Sequence, residues 1–355
     1  MEEFRKAQAE IEKKNDAQAV SKKSSKWCIL LRRRDTPGLL GRFSMEKTGV
    51  MIRFIKGTYD LLYIINMNWS IRFMNVYEYK IDKNIEYKKS ESTIKLPITD
   101  SSRDRMIEAF ASYKGVNYFN NKVVRLEKIE NNDNKIQLTL SLIDFFDFLV
   151  INIISAQLED FVQYLRAMNV YYTLCDEIES IKQYRDDMLG VKDFTTLIAN
   201  GYSSNALAIS ALLTDEKGDY LLTQRGLKTG ISEMMHSVTA TGAIEEEDYH
   251  SMDAIRNCVV RELREELNLC VDKKDLNISS IVAGKKKLQP IVIVNGRVKG
   301  SFSKLLKNVN DAVDFEYEVH KLIISDREEL ETIVQNENFT EAIEYHLKSV
   351  ILEGV

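Results

Sequence analysis

The sequence predicts an α/β fold for its C-terminal part, preceded by an α+β N-terminal domain. A short apolar strand at residues 238–241 leads through a glycine loop into an amphipathic helix. Two apolar runs, 206–213 and 220–224, flank a turn-forming segment, which is typical of a β-hairpin. In the N-terminal part, apolar and polar residues alternate at 136–142, as they do in a half-buried strand.

Length and composition fit a globular protein of two domains. The chain has 355 residues, of which 44% are hydrophobic and 29% are charged, and both fractions are ordinary for a globular protein. We predict four segments along the chain: a polar N-terminal arm at 1–25, an α+β domain at 26–155, a helical linker at 156–200 and a second domain at 201–355.

Charge and cysteine usage exclude several classes of function. The net charge of −5 provides no general basic surface for nucleic acid. The four cysteines are scattered without a C-x-x-C pair, so neither a disulfide framework nor a zinc site is indicated. The N-terminus has no apolar signal, and residues 138–154 are too polar to span a membrane, so they predict a strand entering a core helix. We therefore expect a cytoplasmic protein without a nucleic-acid or membrane partner.

The N-terminal elements follow from periodicity and capping residues. Residues 27–80 have a β-like pattern, and a helix is predicted from Asp100 to the terminator Gly115. A second helix carries apolar residues at helical spacing and, with a further helical stretch at 174–188, is predicted to link the domains or to form a homodimer face. Its apolar residues are Leu158, Phe161, Val162, Leu165 and Met168.

The C-terminal elements predict a sheet between two helical layers. After the glycine loop and its helix, strands are predicted at 276–282, 291–294 and 315–324, and two helices at 327–334 and 340–352. Asn295-Gly296 is the sequence of a type I′ hairpin turn.

Three glutamates distinguish the helix that is predicted from about Ser251. Glu262, Glu265 and Glu266 occupy positions i, i+3 and i+4, which are neighbours on one helix surface. Three anions this close repel one another, and a hard divalent cation is their natural partner. Glu262 and Glu266 also run along the edge of the apolar stripe, where unpaired carboxylates are costly to bury. The alternative is a helix with ordinary ion pairs, such as Arg261 to Glu265.

The strand, glycine loop and helix together resemble the box of the Nudix hydrolases, G-x5-E-x7-R-E-U-x-E-E-x-G-U, where U is aliphatic. The resemblance extends over about residues 204–349. Asn268 replaces the last glycine, and asparagine is the next best residue for a left-handed helix terminator. The segment from Gly242 to Arg261 is five residues longer than the pattern, so either Asp248 or Asp253 fills the first acidic position. We expect Asp253 to support the start of the helix and Asp248 to reach substrate or metal.

The resemblance implies an α/β/α fold and a Mg²⁺-dependent or Mn²⁺-dependent hydrolase that cleaves a diphosphate linkage. The substrate would be a nucleotide-type small molecule: a nucleotide sugar, an ADP-ribose-like compound, a dinucleotide or a nucleoside triphosphate. Glu262, Glu265, Glu266 and the Gly242 carbonyl match the family's metal ligands, and Arg261 would orient the glutamates. Further candidates are Arg225, His236 and the cluster Lys285-Lys286-Lys287 for substrate phosphates, and Glu316 or Glu318 as general base.

Two other interpretations compete with the hydrolase. One is a Nudix-like ligand-sensing or regulatory module that binds a nucleotide without turnover, which the longer loop would suit. The other is an enzyme similar to isopentenyl-diphosphate isomerase, which shares the fold. That activity needs a catalytic cysteine, and Cys258 lies on the apolar side of its helix, where core packing is the better explanation.

Overall fold

The computed structural model describes residues 75–200, 203–227 and 231–353. The predicted arm at 1–25 and the β-like segment up to residue 74 lie outside the described residues. All described residues belong to one compact unit. Within the described part of the chain, no helix combines the length and the apolar composition that a membrane crossing requires.

The first elements are strands on either side of one capped helix: β1 (Val76–Lys80), β2 (Asn84–Lys89), α1 (Asp100–Lys114), β3 (Lys122–Asn132) and β4 (Lys135–Asp144). The Thr99 hydroxyl accepts a hydrogen bond from the Ser102 amide at the start of α1, and Gly115 ends the helix in the left-handed conformation at φ 69°. Both ends of α1 agree with the prediction.

A run of short helices follows β4: α2 (Phe145–Phe148), a π-helix (Leu149–Ile154), a 3₁₀ turn (Ser155–Gln157), α3 (Leu158–Ala167), α4 (Cys175–Leu189) and α5 (Phe194–Ala199). All six residues of the π-helix are buried, which confirms a strand entering a core helix. Phe161 and Leu165 of α3 are also buried, and the Phe161 ring lies edge-on to Phe110 with the centroids 5.4 Å apart. These two side chains fill the protein's own core, so a homodimer stays a prediction that they do not support.

The remaining elements belong to the part that resembles a Nudix domain: β5 (Ala208–Thr214), β6 (Tyr220–Arg225), β7 (His236–Ser237), β8 (Ala240–Ala243), α6 (Glu246–Tyr249), α7 (Ala254–Leu267), β9 (Leu276–Gly284), β10 (Pro290–Arg297), α8 (Phe302–Leu305), α9 (Phe315–Glu318), β11 (Val319–Ser325), α10 (Arg327–Asn336) and α11 (Glu341–Glu353). The predicted hairpin at 206–224 is present as β5 and β6, which pair antiparallel.

Eight strands form one mixed sheet in the order β1-β9-β10-β5-β6-β11, with β7 paired to β6 and β8 to β5. β10 and β5 run parallel, and the other pairs of this sheet are antiparallel. On β5, Ile209 and Leu213 share a core with α7, whereas Leu212 packs with α10 and α11. The sheet therefore lies between two helical layers, and the architecture is mixed α/β. A second sheet has the order β2-β4-β3.

The predicted domain boundaries at 155 and 200 do not separate compact units. Among the described strands, β1, from the predicted N-terminal domain, lies at the edge of the large sheet and pairs with β9. The second sheet is joined to the same body, because the Val124 amide donates to the Ile244 carbonyl and the Leu207 amide donates to the Val124 carbonyl, both at 2.7 Å. The predicted boundaries are wrong because backbone hydrogen bonds cross them. The apolar pattern within one segment does not predict such pairing.

The predicted turn at Asn295-Gly296 is wrong, because both residues lie inside β10. A Cβ atom on Gly296 would lie 2.6 Å from the Leu213 side chain and 2.8 Å from that of Leu276, so glycine permits close packing here. Asn295 Oδ1 is 3.0 Å from His346 Nε2, and His346 Nδ1 is 2.7 Å from Ser210 Oγ. Burial lowers the pKa of His346 to about 3, so the ring is neutral in this buried polar cluster.

The predicted strand at 315–324 is also partly wrong, because its first residues form the helical turn α9. The Glu318 amide donates to the Asp314 carbonyl at 2.7 Å and closes that turn. The Gly226 amide donates to the Glu318 carbonyl at 2.8 Å, and a Cβ on Gly226 would lie 2.3 Å from the Tyr317 carbonyl oxygen. A glycine at the end of β6 therefore lets α9 approach that strand closely.

Candidate active site

Helix α7 carries the glutamates and has the predicted phase and C-terminal end, but it begins at Ala254 rather than at about Ser251. Its first turn is capped by Asp253, whose carboxylate accepts a hydrogen bond from the Arg256 amide. Asn268 ends the helix in the left-handed conformation at φ 52°, so asparagine serves here as the predicted terminator. The apolar stripe is buried as predicted, through Ile255, Cys258, Val259, Leu263 and Leu267.

Arg261 is the centre of the ionic network on α7. Its guanidinium lies 2.9 Å from Glu262, 3.0 Å from Glu265 and 3.0 Å from Asp248. It also donates to the Ala243 carbonyl at 3.0 Å, which ties α7 to the end of β8. Burial alone would lower the pKa of Arg261, but the surrounding anions, Glu262 foremost, raise it above its ordinary value. Arg261 thus forms the predicted ion pairs with Glu262 and Glu265, and its role in orienting them stays a prediction.

Glu262 and Glu266 form a buried acidic pair within hydrogen-bonding reach of each other. Glu266 is only 6% exposed. Burial, together with repulsion from Glu265, raises the pKa of Glu262 to about 8 despite the contact with Arg261. Burial, Glu262 and Glu318 likewise raise the pKa of Glu266. Two carboxylates in such a place cannot both stay charged without a cation between them.

Gly242 makes room for this pair. It lies in β8 opposite Ile209 of β5, facing α7. A Cβ at this position would fall within about 2 Å of the Glu262 carboxylate, so only glycine lets the strand and the carboxylate lie so close. The structure brings Gly242 to the site, and a ligand role for its carbonyl stays a prediction.

The structure does not bring all three glutamates of α7 together. Glu262 and Glu265 both contact Arg261 Nη1, at 2.9 and 3.0 Å, but Glu265 is partly exposed, whereas Glu266 is buried beside Glu262. The third carboxylate near Glu266 is Glu318, from α9. Glu316, the neighbouring candidate, is exposed, because residues 315–318 form a turn rather than the expected strand. The sequence alone did not show which of Glu316 and Glu318 would lie at the site.

Arg225 lies at the site, and His236 does not. The Arg225 guanidinium is 3.2 Å from Glu318 and donates to Thr241 Oγ1 at 3.0 Å. His236 Nδ1 is 3.4 Å from Glu337, and its ring packs on Phe339, with centroids 5.9 Å apart. Those partners belong to the helical layer of α10 and α11, opposite α7. The predicted contact of His236 with substrate is therefore wrong, since its strand turns the side chain to the other face of the sheet.

The longer loop folds as helix α6, and its acidic residue has a supporting role. Asp248 is 3% exposed, contacts Arg261 and accepts a hydrogen bond from the Glu245 amide at 3.2 Å as part of a capping box. The expectation that Asp248 reaches substrate or metal is wrong, because its carboxylate is buried against Arg261. Asp248 therefore supports Arg261 and the start of α6, and Asp253 is the cap of α7.

We expect Asp248→Asn to cost about 3 kcal/mol of unfolding free energy, since it breaks a buried ion pair. Asp253→Asn is expected to cost at most about 1 kcal/mol, because asparagine caps helices as well as aspartate and the lost ion pair with Arg256 is partly exposed. Urea denaturation of both variants measures the difference. A larger loss for Asp253→Asn would contradict this assignment of the two residues.

The donor chemistry suits a hard divalent cation, although the arrangement is not that of a completed metal site. Within residues 75–200, 203–227 and 231–353, no group of three or more His, Cys, Asp or Glu is arranged to hold a metal ion. Glu262 and Glu266 nevertheless offer only oxygen atoms, and their carboxyl groups approach each other beside the glycine. Oxygen ligands of this kind favour Mg²⁺ or Mn²⁺ over zinc.

No family model matches the chain, and no curated protein matches it. Solved structures that resemble part of it include the following two. DR0079 from Deinococcus radiodurans is 14% identical with a TM-score of 0.31, over 41% of this chain and 82% of that one. A MutT protein from Methanosarcina mazei Go1 is 13% identical with a TM-score of 0.28, over 42% of this chain and 94% of that one. Likeness at this level assigns neither a family nor an activity to the chain.

Proposed function

We propose that this protein is a Nudix-type hydrolase that cleaves the diphosphate linkage of a nucleotide-type substrate with the help of Mg²⁺ or Mn²⁺. The buried pair Glu262 and Glu266 carries this proposal. Burying two acidic side chains beside Gly242 of β8 lowers stability. Glutamine or leucine would pack better at these positions. The loss of stability is understandable if the pair binds a cation.

Each residue of the site would have its own role in metal binding, orientation or phosphate binding. Glu262 and Glu266 would hold the metal, and Glu265 would join them if its carboxylate turned away from Arg261. A bound divalent cation would neutralise the diphosphate and lower the pKa of an attacking water. Arg261 holds Glu262 in place. Arg225 is held by Glu318 and Thr241, and its guanidinium would be available to substrate phosphate oxygens through its remaining N–H groups.

Glu318 is the better candidate for the general base. It lies beside Glu266, and its carboxylate is held by Arg225, so its position is defined. A positioned carboxylate that takes a proton from water typically contributes about 10²–10⁴-fold to the rate. Glu316 on the same turn is exposed and makes a matched control, because both are glutamates of α9.

We expect diphosphate hydrolysis to depend on added Mg²⁺ or Mn²⁺ and to disappear with chelator. A panel of nucleotide sugars, ADP-ribose, dinucleotides and nucleoside triphosphates would be incubated with the purified protein, and released phosphate or nucleoside monophosphate would be measured. Glu262→Gln is the control for a contaminating hydrolase. Undiminished hydrolysis in excess EDTA would overturn the metal requirement.

A non-catalytic ligand-sensing module is the second candidate, and one observation favours it. Arg261 Nη1 contacts both Glu262 and Glu265, at 2.9 and 3.0 Å, and no three carboxylates among the described residues are arranged to hold a metal ion. A sensor would bind members of the panel in calorimetry and release no product over hours with Mg²⁺ present. A hydrolase would convert at least one of them.

A further inference from the structure

Three cations from separate parts of the chain meet at one short segment beside the acidic pair. Arg225 Nε donates to the Ile231 carbonyl at 3.3 Å, and Lys287 Nζ donates to Ser232 Oγ at 2.7 Å. Lys114 Nζ lies 3.6 Å from Glu233 Oε1. Residues 231–233 therefore each contact one cation: Arg225 from β6, Lys287 from the loop between β9 and β10, and Lys114 from the end of α1.

Two of the three cations have a carboxylate partner, and the third does not. Arg225 pairs with Glu318, and Lys114 pairs with Glu233. Among the described residues, no carboxylate lies within ion-pair distance of Lys287, whose hydrogen-bond acceptor is the neutral Ser232 hydroxyl. Lys287 is partly buried, in contrast to its exposed neighbour Lys286. The Glu233 carboxylate is near enough to act on the charge of Lys287, but it is paired with Lys114. A cation that is withdrawn from water without an ion pair of its own lowers stability, so a further anion is expected to come from outside the protein.

The backbone around Lys287 is built to hold it there. Its carbonyl accepts a hydrogen bond from the buried Asn152 side chain at 2.7 Å. The next residue, Leu288, has φ 54°, a left-handed conformation that is strained for leucine. Strain of this kind persists where surrounding contacts enforce it and is frequent at ligand sites. Burial, with Arg225 and Lys286 nearby, lowers the pKa of Lys287 to about 8.

Arg225 connects this cation to the proposed catalytic centre. Its charge acts on Glu266 on one side and on Lys287 on the other. Arg225 is thus a common neighbour of the acidic pair and of Lys287, and one substrate is expected to extend from a linkage at Glu262 and Glu266 to Lys287. At the acidic end, Glu262 and Glu266 would hold a metal that neutralises the linkage, so an anion at Lys287 would be a different group of the same molecule.

We propose that Lys287, held at Ser232 and with Lys114 nearby, is a phosphate subsite that binds a phosphate group beyond the linkage that is cleaved. This assignment rests on the proposed function and deepens it. It selects phosphate-rich substrates, such as nucleoside triphosphates, over nucleotide sugars, whose far end is neutral.

Binding of inorganic pyrophosphate in EDTA tests the subsite without any turnover. Lys287→Gln removes the charge and retains a group that can hydrogen-bond to Ser232, and Lys286→Gln is the matched control in the same loop. Calorimetry should show about tenfold weaker binding for Lys287→Gln, the usual order for a lost charged hydrogen bond, and unchanged binding for Lys286→Gln. Equal binding by wild type and Lys287→Gln, or no binding by wild type, overturns the subsite.

A kinetic comparison then tests selection among substrates. Lys287→Gln should raise KM for a nucleoside triphosphate about tenfold and KM for a nucleotide sugar less than twofold, and its melting temperature should not fall. Equal effects on both substrates would overturn the selectivity. If no member of the panel is hydrolysed while pyrophosphate binding still depends on Lys287, the proposed hydrolase fails and the phosphate subsite stands.

Discussion

Glu266→Gln is expected to lower kcat by about 10²–10³-fold, because several kcal/mol of transition-state stabilisation depend on a cation bound at this site. The substitution keeps the volume of the side chain and removes a buried acid that neighbours Glu262 and Glu318. The melting temperature without metal should therefore stay level or rise. Such a pairing of lost activity with retained stability is typical of a residue whose position serves function rather than packing.

Steady-state kinetics with saturating Mg²⁺ and a thermal melt in EDTA measure the two effects. Glu316→Gln is the control, because it makes the same chemical change on an exposed side chain. Glu265→Gln is also expected to lower kcat, and its effect shows whether this carboxylate leaves Arg261 to join the pair. Near wild-type turnover of Glu266→Gln on the best substrate would remove Glu266 from the metal site.

Arg261→Gln is expected to cost about 3–5 kcal/mol of unfolding free energy, as is usual when one partner of a buried ion pair is removed. Among the residues that the structure describes, Arg261 is the cation that contacts Asp248, Glu262 and Glu265, each at about 3 Å. Without it, the buried Asp248 and the nearly buried Glu262 would lose their counter-charge, and the Ala243 carbonyl would lose its donor.

Urea denaturation at neutral pH measures this loss. Arg264→Gln is the matched control, because Arg264 is exposed on the same helix and surface substitutions usually change stability by less than about 0.5 kcal/mol. A stable but inactive Arg261→Gln protein would instead mean that Arg261 acts on the substrate rather than on the fold.

Local signals were sufficient where one helix or hairpin decides the structure. The spacing of Ile255, Val259 and Leu263 predicted the buried face of α7, and the structure confirms that face. Asn268 marked the end of the helix because few other residues adopt a left-handed conformation. The position of Arg261 among glutamates likewise predicted the ion pairs that the structure contains.

The remaining features depend on contacts between distant parts of the chain. Asn295-Gly296 has the composition of a turn, but Leu213 and Leu276 require a glycine within a strand. Glu318 rather than Glu316 reaches the site because a single helical turn places it beside Arg225. Lys287 is one of three consecutive lysines, and only the packing of the 285–288 loop withdraws it from water. No periodicity within those segments encodes such contacts.

The place of β1 at the border of the large sheet has a practical consequence. A fragment that begins at residue 201 would contain the whole glutamate helix and yet lack the strand that covers β9. The backbone amides and carbonyls of β9 would then be open to pair with a second molecule, and exposed sheet edges of this kind lead to aggregation. It would also bare the apolar side chains of β5 and α7 that pack on Leu126 and Leu138. Recombinant fragments for enzymology should therefore retain the chain from before Val76.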